Sequence, residues 1–162
     1  MISRLSITAF AAGLAALLLA PSAGVADPSA PAVEQRRQPL TADDAESEYA
    51  RGVGARSAKD WAAAVAAFWN AVNLRPGFPE AWNELGYAFR NQGRYAESLS
   101  AYDEALRLRP DFPEALEYLG EAYVKMGRLE DASRVLVRLR ALDPSRADEL
   151  AEAIKNGKSP AR

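Results

Sequence analysis

The 162-residue chain repeats its own pattern at an interval of 34 residues. The letters FPEA at 78–81 return at 112–115, and prolines mark the same interval at Pro76, Pro110 and Pro144. A repeat of this length predicts a stack of similar units, in which each unit covers the apolar face of its neighbour. The repetition therefore favours a surface that holds another molecule over a single catalytic centre.

Each copy contains two apolar patterns with helical spacing, separated by a short break. In the middle copy Trp82, Leu85 and Phe89 define the first pattern, and the residues 91–93 (NQG) end it. The second pattern ends before Pro110, which cannot continue a helix. The sequence thus predicts one helical hairpin in each copy.

Glycine stands in the middle of the first helix of every copy, at Gly52, Gly86 and Gly120. Glycine within a helix costs about 1 kcal/mol relative to alanine, so its recurrence predicts a close approach by another helix. The large side chains that we expect to fill the space on the second helices are Phe68, Tyr102 and Leu136.

These positions resemble the tetratricopeptide repeat family over about Ala45 to Pro144. The fullest set of signature residues, in the middle copy, is Trp82, Leu85, Gly86, Phe89, Gly93, Tyr95, Tyr102, Ala105 and Pro110. The resemblance implies an all-α fold, a right-handed superhelical stack of antiparallel helix hairpins (an α-solenoid) with a capping helix. It also implies a domain that binds other proteins.

The first 26 residues have the order of a secretory signal peptide. Arg4 precedes an apolar stretch from Leu5 to Ala20, and the small residues 24–26 (GVA) follow. The alternative is an uncleaved membrane anchor, but the stretch is shorter than the ~20 residues that a spanning helix needs. We therefore expect cleavage after Ala26, and no stable membrane insertion afterwards.

The remaining chain divides by composition. We predict a flexible leader rich in Pro and Ala at 27–43, a repeat domain at 44–156 and a loose tail at 157–162. Within the domain the predicted repeats are 45–78, 79–112 and 113–144, and the capping helix is 145–156. Ser145 is the expected N-cap of that last helix.

The absence of cysteine restricts both anchoring and stabilisation. A bacterial lipoprotein needs a cysteine just after its signal, and disulfides are likewise excluded. With the signal peptide, this composition indicates a periplasmic or secreted protein of the bacterial cell envelope.

Catalysis has little support in the sequence. The chain has no histidine and no cysteine, so the commonest general base, the strongest nucleophile and Cys/His zinc sites are all missing. The net charge of −2 gives no electrostatic reason to expect nucleic acid. We expect no enzyme activity and no cofactor.

Curvature of such a stack places the first helix of each hairpin on the inner surface, and the resemblance implies that this surface is the usual ligand site. The residues whose helical phase directs them to that groove are Tyr49, Val53, Arg56, Asn83, Tyr87, Arg90, Glu117, Glu121 and Lys125. The alternative for each is a solvated helix face. Asn83, Tyr87 and Arg90 are favoured because they are central.

Some tetratricopeptide domains clamp the carboxylate tails of heat-shock chaperones with lysine, asparagine and arginine. The corresponding places here hold Tyr49, Val53, Glu84, Glu114 and Tyr118. A carboxylate clamp is therefore not expected.

Two functions are compatible with these observations. The first is an exported adaptor that binds a peptide or protein segment in the groove. The second is a structural scaffold that self-associates through the repeat ends or Trp69. Trp69 itself is either a partner-facing residue or covered by the leader or by a neighbouring helix. We expect a monomer or a weak homo-oligomer.

Overall fold

The computed structural model describes residues 42–157. The predicted signal peptide, the leader up to residue 41 and the end of the tail lie outside the described residues. Within this range the chain forms seven α-helices and no strand. The helices are α1 Ala42–Ser57, α2 Trp61–Leu74, α3 Pro79–Asn91, α4 Tyr95–Leu108, α5 Pro113–Lys125, α6 Leu129–Leu142 and α7 Pro144–Asn156.

Local chemistry sets where the helices begin and where the hairpins turn. Pro79 and Pro113 open α3 and α5, where proline's missing N–H costs nothing and its fixed φ fits the first helical position. Gly93 and Gly127 follow the ends of α3 and α5 with φ of 74° and 71°. A left-handed conformation of this kind suits glycine, which carries no Cβ to clash.

The last helix begins differently from our prediction of Ser145 as its N-cap. The carboxylate of Asp143 accepts the backbone N–H of Arg146 at 3.1 Å, and Pro144 occupies the first helical position. Asp143 therefore caps α7, and the helix begins before Ser145.

The helices pair as α1–α2, α3–α4 and α5–α6, and each hairpin packs on the next. The helices α1, α3, α5 and α7 contact one another in order, whereas α2, α4 and α6 do not approach each other. The first helices of the hairpins are therefore closer together than the second helices. This difference makes α1, α3 and α5 the inner side of the stack, as expected.

The close approach predicted at the mid-helix glycines is confirmed. A Cβ added at Gly86 would lie 2.7 Å from the Tyr102 ring, and one added at Gly52 would lie 2.5 Å from the Phe68 ring. At Gly120 the neighbour is Leu150 of α7 instead of the expected Leu136. The reason is that α7 packs directly on α5.

The core of this part of the chain is self-contained. Every buried apolar side chain among the described residues lies between Ala45 and Ala153, and the seven helices of residues 42–157 belong to one compact unit. This unit can therefore be studied as an isolated fragment. None of the described helices has the length and apolar character needed to cross a membrane.

Candidate functional site

The centre of the inner side is an aromatic cluster around Tyr87 on α3. The Tyr87 ring lies 5.0 Å from Tyr118 of α5 and 5.9 Å, edge-on, from Trp61 of α2. The guanidinium groups of Arg56 and Arg90 lie 5.8 Å and 5.0 Å from the ring centre. Because Tyr87 is only half-buried, it offers a partner a rigid aromatic surface between two guanidinium groups.

Ion pairs across successive hairpins surround this cluster. Arg56 Nη1 lies 3.1 Å from Glu84 on the next hairpin. Arg90 likewise pairs with Glu121, whose side chain is only 1% exposed. At the last junction Arg146 of α7 pairs with Glu117. Each pair joins two neighbouring elements, so the pairs fix the relative position of the hairpins that form the inner side.

A second series of ion pairs recurs with the repeat and is interrupted in the third copy. Arg75 pairs with Glu46, and Arg109 pairs with Glu80. The corresponding acid of the third copy is Glu114, and the place of its arginine is taken by Asp143, the cap of α7. Glu114 instead accepts a hydrogen bond from the hydroxyl of Tyr118 at 3.2 Å. This substitution removes the arginine partner that the corresponding acid has in the first two copies, and Glu114 interacts electrostatically with Arg146 of α7 instead.

The electrostatic effect of this charge is visible at Glu84. Burial raises the pKa of the Glu84 carboxyl to about 7, Arg56 opposes the rise, and Glu114 adds to it. Burial and then the charge of Glu84 also raise the pKa of the Tyr49 hydroxyl. Within residues 42–157 no group of acidic side chains has the arrangement of a metal site. The acidic side chains of the inner side can attract cationic groups of a ligand.

The structure places six of the nine predicted groove residues at least partly within reach of solvent. Tyr87 and Arg56 are half-buried at the centre of the aromatic cluster, and Lys125 is exposed at the end of α5. Tyr49 and Val53 are half-buried and pack against the core, with the Tyr49 ring 4.9 Å from Phe78 and 5.7 Å from Phe68. The sixth residue is Arg90, whose side chain is 10% exposed.

The other three, Asn83, Glu117 and Glu121, are buried. We expected an exposed groove lining there, but α3, α5 and α7 approach each other closely enough to cover these positions. Glu117 and Glu121 hold arginines of neighbouring elements. Their contact with a ligand stays a prediction, to which the structure adds a role in positioning the hairpins.

Sequence reasoning missed four residues of this site: Trp61, Glu84 as an ion-pair partner, Tyr118 and Arg146. A signal for the ion pairs was present, because arginine and glutamate recur at separations of 28 to 31 residues. The helical phase of single helices could not show it, since these pairs join residues of different helices.

These features define a class of protein: an all-α stack of helical hairpins with an inner side that carries aromatic and charged side chains. Comparison with known proteins agrees. A family model described as TPR repeat (tetratricopeptide repeat) matches residues 86–127, and no curated protein matches the chain. This match supports a tetratricopeptide repeat at residues 86–127, and the solved structures described next show the fold of the stack.

Several solved structures share the fold at low sequence identity. The Arabidopsis OM64 TPR domain is 17% identical with a TM-score of 0.68, covering 71% of this chain and 97% of its own. The TPR2B domain of yeast Sti1 in its pHsp70 complex is 18% identical with a TM-score of 0.68, covering 72% and 99%. The Yersinia enterocolitica secretion chaperone SycD, solved with a peptide of the translocator YopD, is 18% identical with a TM-score of 0.67, covering 74% and 98%. These similarities establish the all-α, tetratricopeptide-like helical stack.

Proposed function

We propose that this protein is a non-catalytic adaptor of the bacterial cell envelope, built from three tetratricopeptide repeats and a capping helix. It binds a peptide or protein segment along the inner side, with Tyr87 at the centre of the contact. The observation that carries the proposal is the half-buried Tyr87 ring held between Arg56, Arg90 and Tyr118. The similar folds of Sti1 and SycD, both solved with bound partners, support this use of the stack.

The charges of the inner side favour a segment that is neutral or basic over one with an acidic tail. Arg56 and Arg90 are already paired with Glu84 and Glu121, so neither is available for a ligand carboxylate without breaking an ion pair. Glu114 adds negative charge beside Glu84. A solved RPAP3 domain of similar fold binds the HSP90 peptide SRMEEVD. We infer that an acidic peptide of that kind binds this chain weakly.

A peptide library selected on residues 39–162 tests the binding face directly. The selected peptides should lose at least tenfold in affinity for a Tyr87→Ala variant, because the central aromatic contact is removed. The matched control is Arg107→Ala, since the Arg107 side chain is 64% exposed on α4, away from the inner side. Peptides that bind Tyr87→Ala as tightly as the unchanged fragment would contradict the proposal. Circular dichroism of each variant verifies that the helices are intact.

Export is a separate part of the proposal, supported by the signal-like order of residues 1–26. Mass spectrometry of the protein recovered from a periplasmic fraction should show a chain that begins at Asp27. A chain that keeps Met1 and remains with the cytoplasm would refute export without affecting the binding face. Light scattering on the same fragment, residues 39–162, measures its association, for which we expect a monomer or a weak homo-oligomer.

A further inference from the structure

The outer side of the stack carries a second surface, a cleft between α2 and α4 with α3 as its floor. Its volume is about 370 Å³, and its apolar lining includes Trp69, Trp82, Phe89 and Ala101. Trp69 is 48% exposed, which is large for a tryptophan in a packed helical domain. The Trp82 indole N–H donates to the carbonyl of Pro76 at 2.8 Å, so this part of the wall is fixed in place.

Comparison with the corresponding place one repeat later shows that this apolar character is confined to the cleft between α2 and α4. One repeat further along, Asp103 stands in place of Trp69 and Arg134 in place of Ser100. Arg134 forms an ion pair with Asp131 at that location. The same architectural position therefore carries two charged side chains between α4 and α6, whereas it carries tryptophan and serine between α2 and α4.

Two carboxylates define the polar rim of the cleft. Glu97, Ser100, Ala101 and Glu104 line it from α4, and their spacing of three, four and seven residues places them on one face of the helix. Glu97 and Glu104 are about 10 Å apart along the helix axis. The space between them is open, because the intervening side chains are small.

The ion pairs that Glu97 and Glu104 already form are exposed and weak. Glu97 pairs with Arg94 and Glu104 pairs with Arg107, and in both pairs each side chain is more than 40% exposed. Exposed pairs of this kind contribute little to stability, so a basic ligand can replace them. The exposed Asp103 carboxylate lies beside Glu104 and adds negative charge to that end of the rim.

We propose that this cleft docks an amphipathic helix of another protein, in which two adjacent apolar side chains lie between two basic residues seven positions apart. Such a helix places its basic residues about 10 Å apart, which matches the separation of Glu97 and Glu104. Its apolar pair, at the third and fourth positions after the first basic residue, then lies against Trp69 and above Ala101. The surface is distinct from the inner side and binds independently of it.

A second copy of this chain fits the cleft less well. None of the described helices, within residues 42–157, carries two basic residues seven positions apart. Val137, the most exposed large apolar side chain at 74%, lies between Arg134 and Arg138, which are only four positions apart. The charge spacing therefore favours a different protein as the partner.

The test uses a synthetic 18-residue helix with lysines seven positions apart, leucine and phenylalanine between them, and alanine and glutamine elsewhere. Its affinity for residues 39–162 is measured by fluorescence anisotropy of a labelled peptide. Trp69→Ala should weaken binding at least tenfold, and Trp69→Phe should retain most of it. Glu97→Gln with Glu104→Gln should weaken binding several-fold and reduce its salt dependence. The inner-side variant Tyr87→Ala should bind normally.

A matched peptide with glutamates in place of the lysines controls for non-specific apolar binding and should bind at least tenfold more weakly. Equal binding of the two peptides, or full binding by Trp69→Ala, would overturn the proposal. So would peptide binding that is lost in Tyr87→Ala, which would place it on the inner side. Light scattering that shows a dimer dispersed by Trp69→Ala would assign the cleft to a second copy instead.

Discussion

Replacing Glu121 by glutamine removes the charge that neutralises Arg90 in the interior of the inner side. The side chains of this pair are 1% and 10% exposed, so water cannot take the place of the lost carboxylate. Removing one partner of a buried ion pair costs about 3–5 kcal/mol. The guanidinium remains stacked over Tyr87 and Tyr118, at 5.0 Å and 5.2 Å, which favours the lower end of that range. We expect Glu121→Gln to lower the free energy of unfolding by about 3 kcal/mol.

The chain offers a matched control in Glu104→Gln. Glu104 also pairs with an arginine in the same fold, but the side chains of Glu104 and Arg107 are 41% and 64% exposed. Loss of such a pair costs about 0–1 kcal/mol. Urea unfolding of residues 39–162, followed by circular dichroism, gives both free energies under identical conditions. Unchanged slopes against urea concentration verify that only stability has changed.

A double variant separates the loss of the pair from the penalty of leaving a charge alone. Arg90→Met with Glu121→Leu removes both charges and keeps apolar volume, so it should be much closer to the unchanged fragment than Glu121→Gln is. The reasoning would be refuted if Glu121→Gln cost no more than Glu104→Gln. It would also be refuted if the double variant were less stable than Glu121→Gln alone.

Two further predictions concern packing and pH. Gly86→Ala and Gly54→Ala both gain about 1 kcal/mol of helix propensity, but only the first places a Cβ 2.7 Å from the buried Tyr102 ring, whereas nothing lies within 4 Å of the second. In urea unfolding, Gly86→Ala should therefore be less stable than Gly54→Ala by about 1–3 kcal/mol, and equal stability would contradict the close packing. For Glu84, a folded-state pKa of about 7 against an ordinary 4.5 means that the folded state binds the proton more tightly. The stability that Glu84 contributes in this way is fully present below pH 4.5. As the pH rises to 7 it is lost, and the free energy of unfolding falls by about 3 kcal/mol. Glu84→Gln should thus gain stability relative to the unchanged fragment over that interval. Glu114→Gln should lower the pKa of Glu84. A difference in stability between Glu84→Gln and the unchanged fragment that does not depend on pH would contradict the reasoning.

The parts of the fold that sequence predicts are those governed by local pattern. Gly52 and Gly86 predict the close approach of another helix, because a glycine that recurs at one place in a helix needs a packing reason. Their neighbours, Phe68 and Tyr102, lie where the repeat pattern places them. The contact of Gly120 with Leu150 was missed because it depends on how α7 packs at the end of the stack. A repeat pattern contains no information about an element that occurs once.

The candidate site was predicted only in part, for a related reason. Helical phase predicts an inner-side position for Tyr87 and Arg56, because that face of α3 and α1 follows from the core positions of the same helix. The burial of Glu117 and Glu121 depends on how closely the next element approaches, which is set by packing between hairpins. The pattern of a single helix therefore shows which residues face the inner side, but it does not show how exposed their side chains are.

Photo-crosslinking from position 87 in living cells tests the central claim most directly. A crosslinkable residue in place of Tyr87 should capture a defined partner that one in place of Arg107, exposed on α4 outside the inner side, does not capture. Capture from position 87 should also disappear when Arg56 and Trp61, which contact the Tyr87 ring, are replaced by alanine. The account would be contradicted if position 87 captured nothing, or if positions 87 and 107 captured the same proteins equally.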